Sequence, residues 1–181
     1  MKDPGQIIEH LSPNDATSIL KALAASDEAL AGRIAEMAAA HLGEVDAEEV
    51  AAVLYDELDA LEVEEVWDRA GETRYGYVEP GEAADQMIEE VLEPWLEELD
   101  RYQKLGLNVE ANKMCMGLLL GFHRFERESK AEFKDWAPDA PIIFAETVVE
   151  AWREGRPGPT DVAAVKAFVE SELAGWGGRL V

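Results

Sequence analysis

Along most of this chain, apolar positions recur at intervals of three and four, the period of one helix face. The pattern is cleanest at 82–104. There Met87, Ile88, Val91, Leu92, Trp95, Leu96, Leu99 and Tyr102 form the stripe, while Asp85, Glu89, Glu90, Glu93, Glu97 and Glu98 fall away from it. Pro94 predicts a kink or break there, since proline lacks an N–H and its ring clashes one turn back. Further stripes predict helices at 13–25 (Ala16, Ile19, Leu20, Leu23), 28–42, 46–61 (Val50, Val53, Leu54, Leu58, Leu61), 142–153 and 161–173. Shorter ones are expected at 4–11 and through Val66 and Trp67. Ser12 ahead of Pro13 is a start signal, Asp46 and Thr160 are caps, and Gly43 is a stop.

One stretch departs from one-sided patterning. Met114-Cys115-Met116-Gly117-Leu118-Leu119-Leu120-Gly121-Phe122 is apolar throughout, inside a proline-free segment at 107–127. A helix apolar on every side is a buried one, and this run is too short to span a bilayer. Gly117 and Gly121, one turn apart, predict close approach of another helix. No run alternates at period two long enough for a sheet. The expected architecture is all-α: one domain, 1–181, an array of about seven to nine antiparallel helices around the buried helix at 107–127. Such an array is helical-repeat-like, an α-α superhelix. The tail at 176–181 is expected to be loosely ordered.

Tyr55-Asp56-Glu57-Leu58-Asp59-Ala60-Leu61 echoes Leu96-Glu97-Glu98-Leu99-Asp100-Arg101-Tyr102 at an offset of 41 residues, near the size of a two-helix repeat. With Trp95, Leu99, Tyr102, Leu105-Gly106 and Ala111, this resembles HEAT- or TPR-like proteins, although the spacing departs from the TPR pattern. The run from Val66 to Pro80, then Glu82-Ala83-Ala84, is similar to uncharacterised prokaryotic helical proteins. The resemblance spans roughly 55–127. Some such regions accompany SWIM-type zinc fingers, but this chain has one cysteine and no such finger. The resemblance implies a helical fold and no activity.

Charge sharpens the picture. The net charge is −23. Residues 44–100 hold 21 acidic and 2 basic groups, net −19, whereas residues 101–134 are net +3 and residues 1–43 net −3. So acidic a surface repels phosphate backbones, so nucleic-acid binding is not expected. With 48% hydrophobic residues the acidity does not signal disorder. Met1-Lys2-Asp3-Pro4 leads into no apolar h-region and no segment suits a membrane, so a cytoplasmic location is expected. The lone Cys115 excludes an intrachain disulfide and reads as a buried, inert thiol.

No catalytic fingerprint occurs. His-x-x-Glu appears at His41/Glu44 and His123/Glu126, the reverse of the Glu-x-x-His order of di-iron bundles. Asp68 beside Trp67 and Glu79 near Tyr77 are the acid–base candidates, with helix capping or pairing to Arg69 and Arg74 as the structural alternative. No metal, cofactor or catalytic residue is assigned. The distinctive feature is the segment Gly71-Glu72-Thr73-Arg74-Tyr75-Gly76-Tyr77-Val78-Glu79-Pro80-Gly81, read as a shaped irregular loop. Trp67, Arg74, Tyr75 and Tyr77 are residue types enriched at interaction hot spots. With Glu89, Glu90, Glu93 and Glu97 they form the candidate surface for a basic protein partner or a second copy of the chain. A helical-bundle metal- or small-molecule-binding protein, or an enzyme, is the alternative.

Overall fold

In the computed structural model the chain clusters into two compact units, residues 1–44 and 45–181. The structure describes residues 8–43, 45–74 and 76–180. The first half of the helix expected at 4–11, residues 4–7, therefore falls outside the described residues, as do Glu44 and Tyr75. The protein is all-α, with nine α-helices among the described residues.

The first unit is a helical hairpin, α1 (Pro13–Ser26) and α2 (Glu28–Leu42). The Ser12 hydroxyl accepts from the Asp15 backbone N–H at 3.2 Å, and Pro13 opens the first turn. Asp27 caps α2 by accepting from the N–H groups of Ala29 and Leu30. Each cap satisfies donors that the first helical turn leaves unpaired.

The second unit starts with α3 (Ala47–Asp59), capped by Asp46 through the N–H groups of Glu48 and Glu49. α4 (Val63–Arg69) follows. The segment read as irregular forms a minimal antiparallel hairpin, β1 (Gly71–Thr73) and β2 (Gly76–Val78), with Glu72 opposite Tyr77. Strands of three residues are too short to show periodicity. Gly71 at the open end of the hairpin and Gly76 directly after its turn adopt φ of 110° and 136°, which side-chain-bearing residues rarely enter.

α5 (Pro80–Lys104) begins two residues earlier than its apolar pattern, with Pro80 in its first turn, and runs without interruption through Pro94. The expected break does not occur. Pro94 and Glu90 lie on the exposed side, where a carbonyl stripped of its partner meets water. α6 (Asn108–Glu128) buries Met114, Cys115 and every position from Gly117 to Phe122. It packs against α3, α5, α7 (Ala140–Glu154) and α8 (Pro159–Glu172). The two glycines lie against α3. A Cβ on Gly117 would come within 2.7 Å of the Ala47 carbonyl oxygen and Val50 Cβ, and one on Gly121 within 3.0 Å of Leu54 Cδ2.

Two local expectations are corrected. Gly158, not Thr160, is the N-cap of α8: Pro159 opens the helix, and the Asp161 carboxylate accepts from the Gly158 N–H at 3.0 Å. The tail is ordered at least to Leu180. It forms α9 (Gly177–Leu180), and Trp176 and Leu180 are both buried. The Trp176 indole donates to Glu126 at 3.2 Å, and its ring meets His123 edge-on at 5.1 Å. Aromatic burial with a satisfied N–H outweighs the disorder expected of a chain end. Among the described residues, no helix is long and apolar enough to cross a membrane.

Candidate interaction groove

Ridges of side chains on α5 and α7 do not close over one another along their full length. Between them runs an open groove of about 690 Å³. One wall is a row of carboxylates on α5: Glu89, Glu90, Glu93, Glu97 and Asp100. These lie outside the apolar stripe that faces the core, so the helix presents them together. From Glu89 to Asp100 the row is about 16 Å long at ~1.5 Å rise per residue. The base is apolar, formed by buried Leu92 and half-buried Leu96. α7 supplies Phe144 and Thr147. Phe144 is fixed from beneath, because its ring stacks at 6.2 Å on that of Phe122, which is fully buried in α6.

The four glutamates expected at a binding surface thus line one groove. Gln86, Leu92, Leu96, Asp100, Phe144 and Thr147 complete it; the sequence placed Leu92 and Leu96 in the apolar stripe of this helix but marked none of the six as a binding residue. The α7 residues lie some fifty positions downstream, and no local signal connects them to α5. Glu90 is already partnered. It accepts from the Arg69 guanidinium at 2.7 Å, which holds the Glu90 carboxyl below its ordinary range. The bond draws α4, the helix carrying Trp67, alongside the groove wall.

The aromatic candidates lie elsewhere. Neither Trp67 nor Tyr77 is among the residues lining the groove. Trp67 is 52% exposed yet meets Trp136 edge-on at 4.5 Å, so one edge is packed while the rest faces solvent. Tyr77 is 61% exposed at the hairpin. Arg74 is exposed, and Tyr75 lies outside the described residues.

The candidates for chemistry lie outside this groove. Asp68 and Glu79 are exposed. His123 Nε2 is 3.3 Å from the Ala174 carbonyl oxygen and Glu126 accepts from Trp176, so both serve the C-terminal anchor. The His41/Glu44 pair falls partly outside the described residues. Among the described residues, no group of three or more potential ligands could hold a metal ion. Burial raises the Cys115 thiol far above the usual thiol range.

The chain matches no protein-family model, and neither the curated proteins nor the solved structures include a significant match to it.

Proposed function

We propose that this protein is a non-catalytic interaction module whose α5–α7 groove receives a basic, amphipathic helix of a protein partner. The observation that carries the reading is the carboxylate row of Glu89, Glu90, Glu93, Glu97 and Asp100 over an apolar base of Leu92, Leu96 and Phe144. An acidic rim with an apolar floor suits a helix with lysines or arginines beside a leucine stripe. The row's length matches about three turns of such a helix. The rim steers association and the floor retains the partner. The exposed faces of Trp67 and Tyr77 supply aromatic anchors for flanking segments of the same partner.

The test is fluorescence anisotropy with a labelled lysine–leucine amphipathic peptide of about 14 residues, long enough to fill three turns. Glu89→Gln, Glu93→Gln and Glu97→Gln together should weaken binding by roughly tenfold, mainly through slower association, and flatten its salt dependence. A charge-matched control, Glu64→Gln, Glu132→Gln and Glu172→Gln, alters exposed groups outside the groove. Equal losses in both triples would mean that net charge alone attracts the peptide, and the groove reading would fail. Trp67→Ala with Tyr77→Ala addresses the flanking anchors and should leave this short probe unaffected.

A further inference from the structure

The groove does not end at Asp100. A second stretch of about 520 Å³ continues it, sharing Leu96 and Asp100 with the first and adding Gln103 and Lys104 on α5 and Ala151, Glu154 and Gly155 on α7. Earlier residues of α5 face earlier residues of α7 in the first stretch, and later face later in the second. The two helices therefore run parallel, with both C-terminal ends at one end of the groove. Gln103 fastens that end, its amide donating to the carbonyl oxygens of Ala151 and Trp152 at 3.2 and 2.9 Å. From Gln86 to Lys104 the groove is about 27 Å long, or five helical turns. Its charge changes along that length. Glu89, Glu93 and Glu97, together with the Glu90 held by Arg69, line the first stretch alone. In the second, Asp100 is already ion-paired with Lys104 at 2.5 Å, and Glu154 is the one other charged residue of the lining.

We infer that the occupant of the long groove is a five-turn helix of a protein partner lying antiparallel to α5 and α7, its uncharged N-terminal turns over Gln103, Ala151 and Gly155 and its basic C-terminal turns over Glu89, Glu93 and Glu97. This rests on the groove reading above and adds the partner's charge order and direction. Charge complementarity sets the order. Glu89, Glu93 and Glu97 are four residues apart, about 6 Å each, the interval at which a helix presents its own residues i, i+4 and i+8. Lys104 is exposed at the far end and matched by Asp100, so that end offers no seat to a further cation. Dipoles set the direction. The C-termini of α5 and α7 share the far end and carry partial negative charge there, which favours the positive N-terminus of a third helix. The same field acts within the partner, where lysines stabilise the last turns of a helix and destabilise the first. Both effects select one orientation.

Two labelled peptides of about 20 residues, five turns each, test this on the full chain. They share one composition: the first carries a leucine–alanine–glutamine half followed by a lysine–leucine half, the second the reverse order. Anisotropy should give the first the tighter binding, by roughly fivefold. Lys104→Glu, which makes the far end acidic, should bring that ratio toward one. The peptides' own helicity cannot cause such a change, because it is the same against either chain. A nitroxide at the N-terminus of the first peptide should most strongly broaden the amide resonances of Lys104 and Gly155 in the wild-type chain, and one at its C-terminus those of Gln86 and Glu89. Equal affinities, a preference for the second peptide, a ratio unmoved by Lys104→Glu, or the opposite broadening pattern would each overturn the proposed direction. The Glu89→Gln, Glu93→Gln and Glu97→Gln triple separates this from the groove reading. Binding that the triple still weakens leaves the groove in place with its occupant's direction wrong, whereas binding indifferent to the triple, or no binding, overturns both.

Discussion

Asn112 and Trp152 meet in the core of the second unit: the indole Nε1 donates to the Asn112 Oδ1 at 3.0 Å, and Trp152 is 2% exposed. On its other side Asn112 Nδ2 donates to the Asp161 carboxylate at 2.6 Å, and Asp161 accepts from the Gly158 N–H. One side-chain amide thus ties α6 to α7 and to the first turn of α8. Every member is satisfied, which is the condition for a polar group to be tolerated in a core.

Asn112→Ala should therefore destabilise the second unit by about 1–3 kcal/mol, because it leaves a buried indole N–H unpaired. In a cycle with Trp152→Phe, measured by urea unfolding, the coupling should be about 1 kcal/mol. Strict additivity would mean that the bond contributes nothing and Asn112 acts through packing alone.

Gly117→Ala should cost more than Gly121→Ala. The first places a methyl 2.7 Å from both the Ala47 carbonyl oxygen and Val50 Cβ, the second no closer than 3.0 Å to Leu54 Cδ2 and 3.1 Å to the Ala51 carbonyl oxygen. Overpacking of this kind costs about 1–3 kcal/mol, with Gly117→Ala at or beyond the upper end. Val50→Ala should rescue Gly117→Ala only in part, since the Ala47 carbonyl remains. Full rescue, read from melting temperatures, would contradict the backbone clash.

Trp176→Ala should cost about 3–5 kcal/mol, as for other buried tryptophans. It removes a buried ring, its hydrogen bond to Glu126 and its edge contact with His123. A loss below about 1 kcal/mol, the scale of a surface substitution, would show that the C-terminal segment is not part of the packed unit.

Cys115 should resist thiol reagents in the native state and react fully in denaturant. Its native pKa is raised by burial, so the native state retains the proton when the unfolded chain has lost it. Stability is then unaffected below the unfolded thiol pKa of about 8.5 and falls as pH rises above it, by up to ~1.4 kcal/mol per pH unit. Cys115→Ala should flatten that fall between about pH 8.5 and 10 in stability measurements. An unchanged slope would assign it to other groups.

The sequence by itself determined the helices. Apolar periodicity reports which face of a helix is buried, and caps such as Ser12 and Asp46 act within three residues, so both are written locally. The all-apolar run at 114–122 announced the central helix for the same reason. The glycines Gly117 and Gly121 announced close packing, but not that α3 was the neighbour. Tertiary structure decided the rest. The carboxylates Glu89, Glu93 and Glu97 were legible as an acidic face, yet only the placement of α7 made that face a wall, by bringing Phe144 and Thr147 opposite it. The β-hairpin depended on pairing across a turn by strands too short to carry a period. Trp176 escaped the disorder expected of a terminus because His123 and Glu126, some fifty residues earlier, form a site for its ring and its N–H. Burial at a distance leaves no mark in local periodicity, and for that reason the groove and the anchored tail could be read only from the folded chain.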